Sequence, residues 1–163
     1  MKVETFTFKD WTHTETGVVL AENEDWILIN HIPSDYLIDG YKLYKKKFVK
    51  SRKSKKIEKQ IAAVLKLKKA KCRKPKKFKF GKTIDLLKWV EKKYGYFEFQ
   101  DDIEGELFYG KVNEVDKKSL FIDLIDAQGR VDEACDLQFK INKIRTITFD
   151  TDYFRAIGLL MNN

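Results

Sequence analysis

The sequence predicts a mainly β fold with accessory helices (α+β), built as two tandem five-stranded bent-sheet barrels, each followed by a helix. Two observations carry this. The stretch 106–126, ELFYGKVNEVDKKSLFIDLID, reads as two strands joined by a short polar turn. Its second strand alternates, with Leu120, Ile122 and Leu124 on one side and Phe121, Asp123 and Ile125 on the other. The same pattern stands near the start as 16–31, TGVVLAENEDWILINH. Gly17 answers Gly110, Val19 answers Val112, Asn23 answers Asp116, and Ile27-Leu28-Ile29 answers Leu120-Phe121-Ile122, all at a separation of 93 residues. This is an internal duplication. It extends onward at a separation of 96, where Phe48, Ile57, Ile61 and Val64 answer Ile144, Tyr153, Ile157 and Leu160, so the second copy carries about three extra residues.

In chain order, Val3–Phe8 alternates Thr and Phe as a first strand. Thr16–Glu22 and Trp26–His31 are the repeat strands. Pro33, Ser34 and Asp35 interrupt them, and Asp39-Gly40 reads as a hairpin turn into strands Tyr41–Tyr44 and Lys47–Arg52. Lys55–Lys71 reads as a helix whose apolar stripe is Ile57, Ile61, Val64 and Leu65. A second helix is expected over Thr83–Tyr94, with Thr83 as N-cap, Asp85 in the first turn and Gly95 at its end. Strands Tyr96–Asp101, Val131–Lys140 and Ile144–Phe149 complete the second copy, and Asp150 or Thr151 caps a last helix, Asp152–Met161. The domains implied are 1–71, a basic linker 72–81, and 82–163. Each helix after a fifth strand is expected to cover an open end of its own barrel.

Charge is unevenly distributed. Residues 1–41 carry a balance of −6 and residues 83–163 of −5, whereas 42–82 hold 20 basic residues against the single Glu58. Phosphates favour such a surface because each neutralised contact releases counterions. The candidate nucleic-acid-binding residues are Lys45, Lys46, Lys47, Lys50, Arg52, Lys53, Lys55 and Lys56, followed by Arg73, Lys74, Lys76 and Lys77. Tyr44, Phe48, Phe78 and Phe80 interleave with the charges, as stacking residues do on a single strand. Against this, 18 of the 20 are lysine, and arginine is the better base reader and phosphate fork.

The second half resembles the Sm-like superfamily of small SH3-like β-barrels, which includes the bacterial Hfq proteins. A helix at Thr83–Tyr94 precedes five strands, as in that family, and Gly110 and Asp116 match the glycine and aspartate of its first motif. Ile144-Arg145-Thr146 is similar to its Ile-Arg-Gly. The glycine has a physical reason: a sharply bent strand is easiest where no Cβ crowds the neighbour. The resemblance implies RNA-binding, ring-forming barrels. Leu120 stands where the family has its RNA-contacting asparagine, however, and Asn23 replaces the aspartate in the first copy, so the base pocket is not carried over.

No convergent acid, base or nucleophile pattern is visible, so no catalytic residue, metal ligand or cofactor is expected. His31 falls on the alternation of Ile27 and Ile29 and reads as a packed or rim histidine; His13 lies in a polar turn. Asp123, Asp126, Asp132, Glu133 and Asp136 cluster around one turn and read as a solvated acidic edge. Cys72 lies among lysines, which favours its thiolate, and Cys135 stands apart with no ligand spacing. No apolar run approaches the roughly 20 residues of a membrane span, and the start MKVETFTFKDW lacks a signal-peptide segment, so the cytoplasm is expected. The function expected is non-enzymatic binding, first of RNA or single-stranded nucleic acid through 42–82. The alternative is an adaptor or immunity-type protein contact through the barrel surfaces, and an anionic lipid surface ranks last.

Overall fold

The structure is a computed structural model that describes residues 1–134 and 137–163. Cys135 and Asp136, both singled out above, lie outside the described residues. The chain is mainly β with three helices among the described residues, an α+β protein. It divides into two units, Met1–Lys79 and Phe80–Asn163. The first contains β1 (Val3–Phe8), β2 (Thr14–Glu22), β3 (Trp26–Ile32), β4 (Tyr41–Lys45), β5 (Val49–Lys53) and α1 (Lys56–Leu67). The second contains α2 (Thr83–Tyr94), β6 (Phe97–Gln100), β7 (Phe108–Val115), β8 (Ser119–Ile125), β9 (Val131–Lys140), β10 (Thr146–Phe149) and α3 (Asp152–Met161).

Within the first unit the strand order is β5-β1-β2-β3-β4, and within the second it is β10-β6-β7-β8-β9. Counted from its own first strand, each unit therefore has the same order, 5-1-2-3-4, and its pairings are antiparallel. Gly17 pairs with His31 and Gly110 with Leu124, and the register slips at the same place, between Val19 and Ala21 and between Val112 and Glu114. A Cβ on Gly17 would lie 2.7 Å from the Asn30 carbonyl oxygen and 2.2 Å from Ile29 Cδ1. One on Gly110 would lie 2.8 Å from the Asp123 carbonyl and 3.0 Å from Ile122 Cδ1. Both strands thus approach their neighbours too closely for any side chain at that point.

The turns that follow also match. Asn23 Oδ1 accepts the backbone N–H groups of Asp25 (3.1 Å) and Trp26 (2.8 Å). Asp116 Oδ1 accepts those of Lys118 (2.8 Å) and Ser119 (2.7 Å). Either residue type supplies the acceptor, so an Asn for Asp exchange leaves this turn intact.

Several expectations shift in detail. A 3-10 turn, Lys46–Phe48, precedes β5, so the strand begins at Val49 rather than Lys47. Its counterpart Ile141–Lys143 precedes β10, which begins at Thr146. Val49, not Phe48, therefore shares its position with Ile144. The connection before Tyr41 is a longer loop rather than a two-residue hairpin, with Gly40 at φ 67°. The cap of α2 is Lys82, whose N–H is accepted by Asp85 Oδ2 at 3.0 Å, and Thr83 is the first helical residue. Gly95 ends α2 in the left-handed region at φ 93°, and Thr151 caps α3.

Strand alternation gives the first unit two apolar faces. Phe6, Phe8, Ile27, Ile29 and Tyr44 pack on one, and Val3, Val18 and Ile32 on the other. α1 covers the second face through Leu65, with Ile61 and Ala62 beside it. It lies on the sheet rather than on an open barrel end. Its buried stripe is also rotated from the expected one: Glu58 is buried and Ile57 is 68% exposed. The reason is polar. Thr5 Oγ1 donates to Glu58 Oε1 at 2.7 Å and the Lys55 N–H donates to Oε2 at 2.7 Å, so the carboxylate is satisfied where it is buried. Burial alone would raise its pKa; these hydrogen bonds outweigh it and hold the group lower. α3 buries Phe154 and Ile157, the positions 96 residues after Glu58 and Ile61. Phe154 stacks on Tyr96 at 4.1 Å.

Gly17→Ala and Gly110→Ala are each expected to destabilise by about 1–3 kcal/mol through overpacking. Urea unfolding of each variant checks this; an unchanged midpoint would show that the strands relax without cost.

Candidate nucleic-acid interface

β5 is the outermost strand of the first unit and hydrogen-bonds to β1. Its pairing sets which basic side chains turn inward. Arg52 faces Phe6, with its guanidinium 5.5 Å from the ring centroid. Arg52 Nε donates to Glu4 Oε2 at 2.7 Å and Nη1 to Glu22 Oε2 at 2.9 Å. Lys46 completes the group, 2.8 Å from Glu22. Hydrogen bonding from Arg52 and then Lys46 holds the Glu22 pKa down at about 2. Lys45 is half-buried, with its ammonium 5.5 Å from the Trp26 ring centroid, and burial together with the nearby Lys47 lowers its pKa. Arg52, Lys46 and Lys45 thus serve the fold.

The others point outward. Lys47, Lys50, Lys53, Lys55 and Lys56 are exposed along β5 and into the first turn of α1. Lys47 lies 4.6 Å from the Phe48 ring centroid, supporting that half-buried aromatic. The structure places Arg73, Lys74, Lys76 and Lys77 elsewhere. They are exposed, but their segment is held by Tyr41 Oη of β4 donating to the Arg73 carbonyl at 3.3 Å and by Cys72 against the α1-covered face. Burial pushes the Cys72 thiol pKa up, which reverses the effect expected from its lysine neighbours.

A polar cluster that sequence reasoning missed lies inside the first unit. Glu15 pairs with Phe6 across β1–β2, and Lys42 and Tyr44 pair with Ile29 and Ile27 across β3–β4, so all three share the inner face. Lys42 Nζ donates to Glu15 Oε1 at 2.8 Å and Oε2 at 3.0 Å, and the Tyr44 hydroxyl donates to Oε2. Burial would raise the Glu15 pKa, but the charge of Lys42 and these hydrogen bonds outweigh it and lower it. Burial, then Glu15, pushes the Tyr44 phenol well up. His31 adjoins the group; burial and then Lys42 hold its pKa down at about 4. The matching positions of the second unit, by strand register, are Phe108, Leu124, Leu137 and Phe139. There Phe108 and Phe139 pack at 4.6 Å and Phe99 meets Phe139 at 4.9 Å. The sequence signal was the contrast between the two halves at His31 and Leu124.

Around the acidic turn, Asp123 accepts from Asn113 Nδ2 at 2.6 Å, Asp126 pairs with Arg130 at 2.7 Å, and Asp132 accepts the Ala134 N–H at 3.1 Å. Among the described residues, no three His, Cys, Asp or Glu side chains come together as a metal site. No helix among them is long and apolar enough to cross a membrane.

Glu15→Ala strands a buried ammonium and is expected to cost about 3–5 kcal/mol. Replacing Glu15, His31, Lys42 and Tyr44 together by Phe, Leu, Leu and Phe should recover most of it in equilibrium unfolding. His31 gives a pH signature. Its folded pKa lies below its ordinary 6.5, so the unfolded chain binds the proton first as pH falls. The stability is full above pH 6.5 and is lost between there and about 4, on the order of 3 kcal/mol. His31→Leu should flatten that part of the stability–pH curve.

Comparison of the chain with protein-family models, with curated proteins and with solved structures gives no match.

Proposed function

We propose that this chain is a non-enzymatic nucleic-acid-binding protein, made of two Sm/SH3-like barrels related by internal duplication. It associates with RNA or single-stranded nucleic acid through the outer strand of its first unit. The observation that carries the binding is the outward run Lys47, Lys50, Lys53, Lys55 and Lys56, exposed along the 3-10 turn, β5 and the start of α1. The duplication and the resemblance are supported by the shared strand order, the two glycine close approaches and the two matching turns. The non-enzymatic reading is supported by the inner polar cluster, where both Glu15 oxygens are already taken by Lys42 and Tyr44.

A mixed-sequence oligonucleotide titrated at increasing salt tests this. Affinity should fall linearly in log–log form, and Lys47, Lys50, Lys53 and Lys56 changed together to Gln should flatten the slope by roughly 3. No detectable binding at low salt would refute it.

One observation favours a second reading, protein contact through the second unit. α3 turns Tyr153, Leu159 and Leu160 outward at 52%, 74% and 49% exposure. Leu159 also lines a cleft of about 460 Å³ with Tyr94, Tyr96 and Phe154. A stoichiometric partner that survives nuclease treatment and is lost in Leu159→Asp would establish it.

A further inference from the structure

The turn between β1 and β2 carries Trp11 on the rim of a cleft of about 630 Å³. That lies within the roughly 300–1,000 Å³ of small-ligand sites. The turn is set by Asp10 in the left-handed region at φ 64° and is tied to the 3-10 turn before β5 by the Lys9 N–H donating to the Phe48 carbonyl at 2.9 Å. This brings a half-buried indole, supported by the Phe8 ring at 5.3 Å, beside the exposed Lys50. Thr7 and Ser51, hydrogen-bonded to each other at 2.6 Å, line it together with Phe8 and Thr12.

Each part suits one piece of a nucleotide. An aromatic face accepts any base by stacking, because every base has a π-face. Lys50, with Lys47 two residues beyond the end of β4, supplies cations for the flanking phosphates. Asp10 also lines the cleft, and its negative charge turns phosphate away from that side and toward Lys50. A paired base inside a duplex cannot offer its face. By strand register and chain count, the second unit has Glu104 where the first has Trp11, and a buried Arg145 where it has Lys50, so the arrangement belongs to the first unit alone.

We propose that this cleft holds one unpaired base of a single-stranded nucleic acid, stacked on Trp11, with Lys50 on the adjoining phosphate. The proposal rests on the nucleic-acid reading above and deepens it to a strand class. The test uses the full chain and fluorescence anisotropy of labelled 12-nucleotide single strands, DNA and RNA, against the corresponding duplex. Trp11→Leu should weaken single-strand binding about tenfold or more, leave the salt slope unchanged and leave duplex binding as it was. Trp11→Phe should recover part of the loss. Lys50→Gln should reduce the slope by about 1. If the wild type binds but Trp11→Leu binds equally, or weakens duplex and single strand alike, the cleft is not a base site and the nucleic-acid reading stands. If the wild type binds neither, both fall. Should Trp11→Leu not fold, Lys50→Glu decides, since it touches no core: single-strand affinity unchanged overturns the cleft.

Discussion

Two glycines hold the architecture together. At Gly17 and Gly110 the second strand of each unit comes so near the third that a Cβ would meet a carbonyl oxygen at 2.7 and 2.8 Å. A flat pair of strands leaves room for side chains at every position. The absence of that room marks a bend. The register slip two residues further on adds an extra residue to the second strand, which increases the local twist. Bend and slip together turn a meander back on itself, and this lets the fifth strand pair with the first. The side-chain acceptors Asn23 and Asp116 then fix the next turn.

What varies most is the inner face. One unit fills it with Phe108, Leu124, Leu137 and Phe139, the other with Glu15, His31, Lys42 and Tyr44 at the same register positions. Apolar filling is the simpler solution, because a buried ion pair recovers its desolvation only when the geometry is good and the remaining lone pairs are used. The first unit meets that demand through the two bonds from Lys42 and the one from Tyr44. The charged version therefore adds little net stability. It does enforce register, since a slip of one residue on β4 would turn Lys42 away from Glu15.

Much of the frame was legible in the sequence because its marks recur at a fixed spacing. Gly17 with Gly110, and Asn23 with Asp116, stand out at one separation, and α3 begins and ends where periodicity and a capping threonine place it. The site was less legible, since its parts meet only through strand register. Glu15, His31 and Lys42 sit on three strands; His31 alone reads as a packed or rim residue, while Glu15 and Lys42 carry no mark of burial in the sequence. Lys42 counts in composition as one more surface lysine, yet it is buried. Glu58 counts in composition as the single acidic residue of a basic stretch, yet it anchors the helix that carries it. Arg52 looked like the best phosphate fork in the strand, and two carboxylates occupy it.

That last pairing explains how an edge strand so rich in lysine stays attached to the sheet. Glu4, only 8% exposed, and Glu22 neutralise Arg52 and Lys46, so the inward side of the edge carries balanced charge. Arg52 makes one bond to the buried Glu4 and a two-point contact with the half-buried Glu22, so it is held more firmly than a lone surface pair would be. The lysines that point away keep their charged ends in solvent, even where Lys47 lies over Phe48 and Lys53 acts on Glu58. Their mutual repulsion is a modest cost in water, screened over about 8 Å at physiological salt. It is relieved when a polyanion displaces the counterions around them. The acidic residues of the first three strands thus sort the basic segment by side: they consume the cations that face the sheet and leave the cations that face solvent to act on whatever approaches.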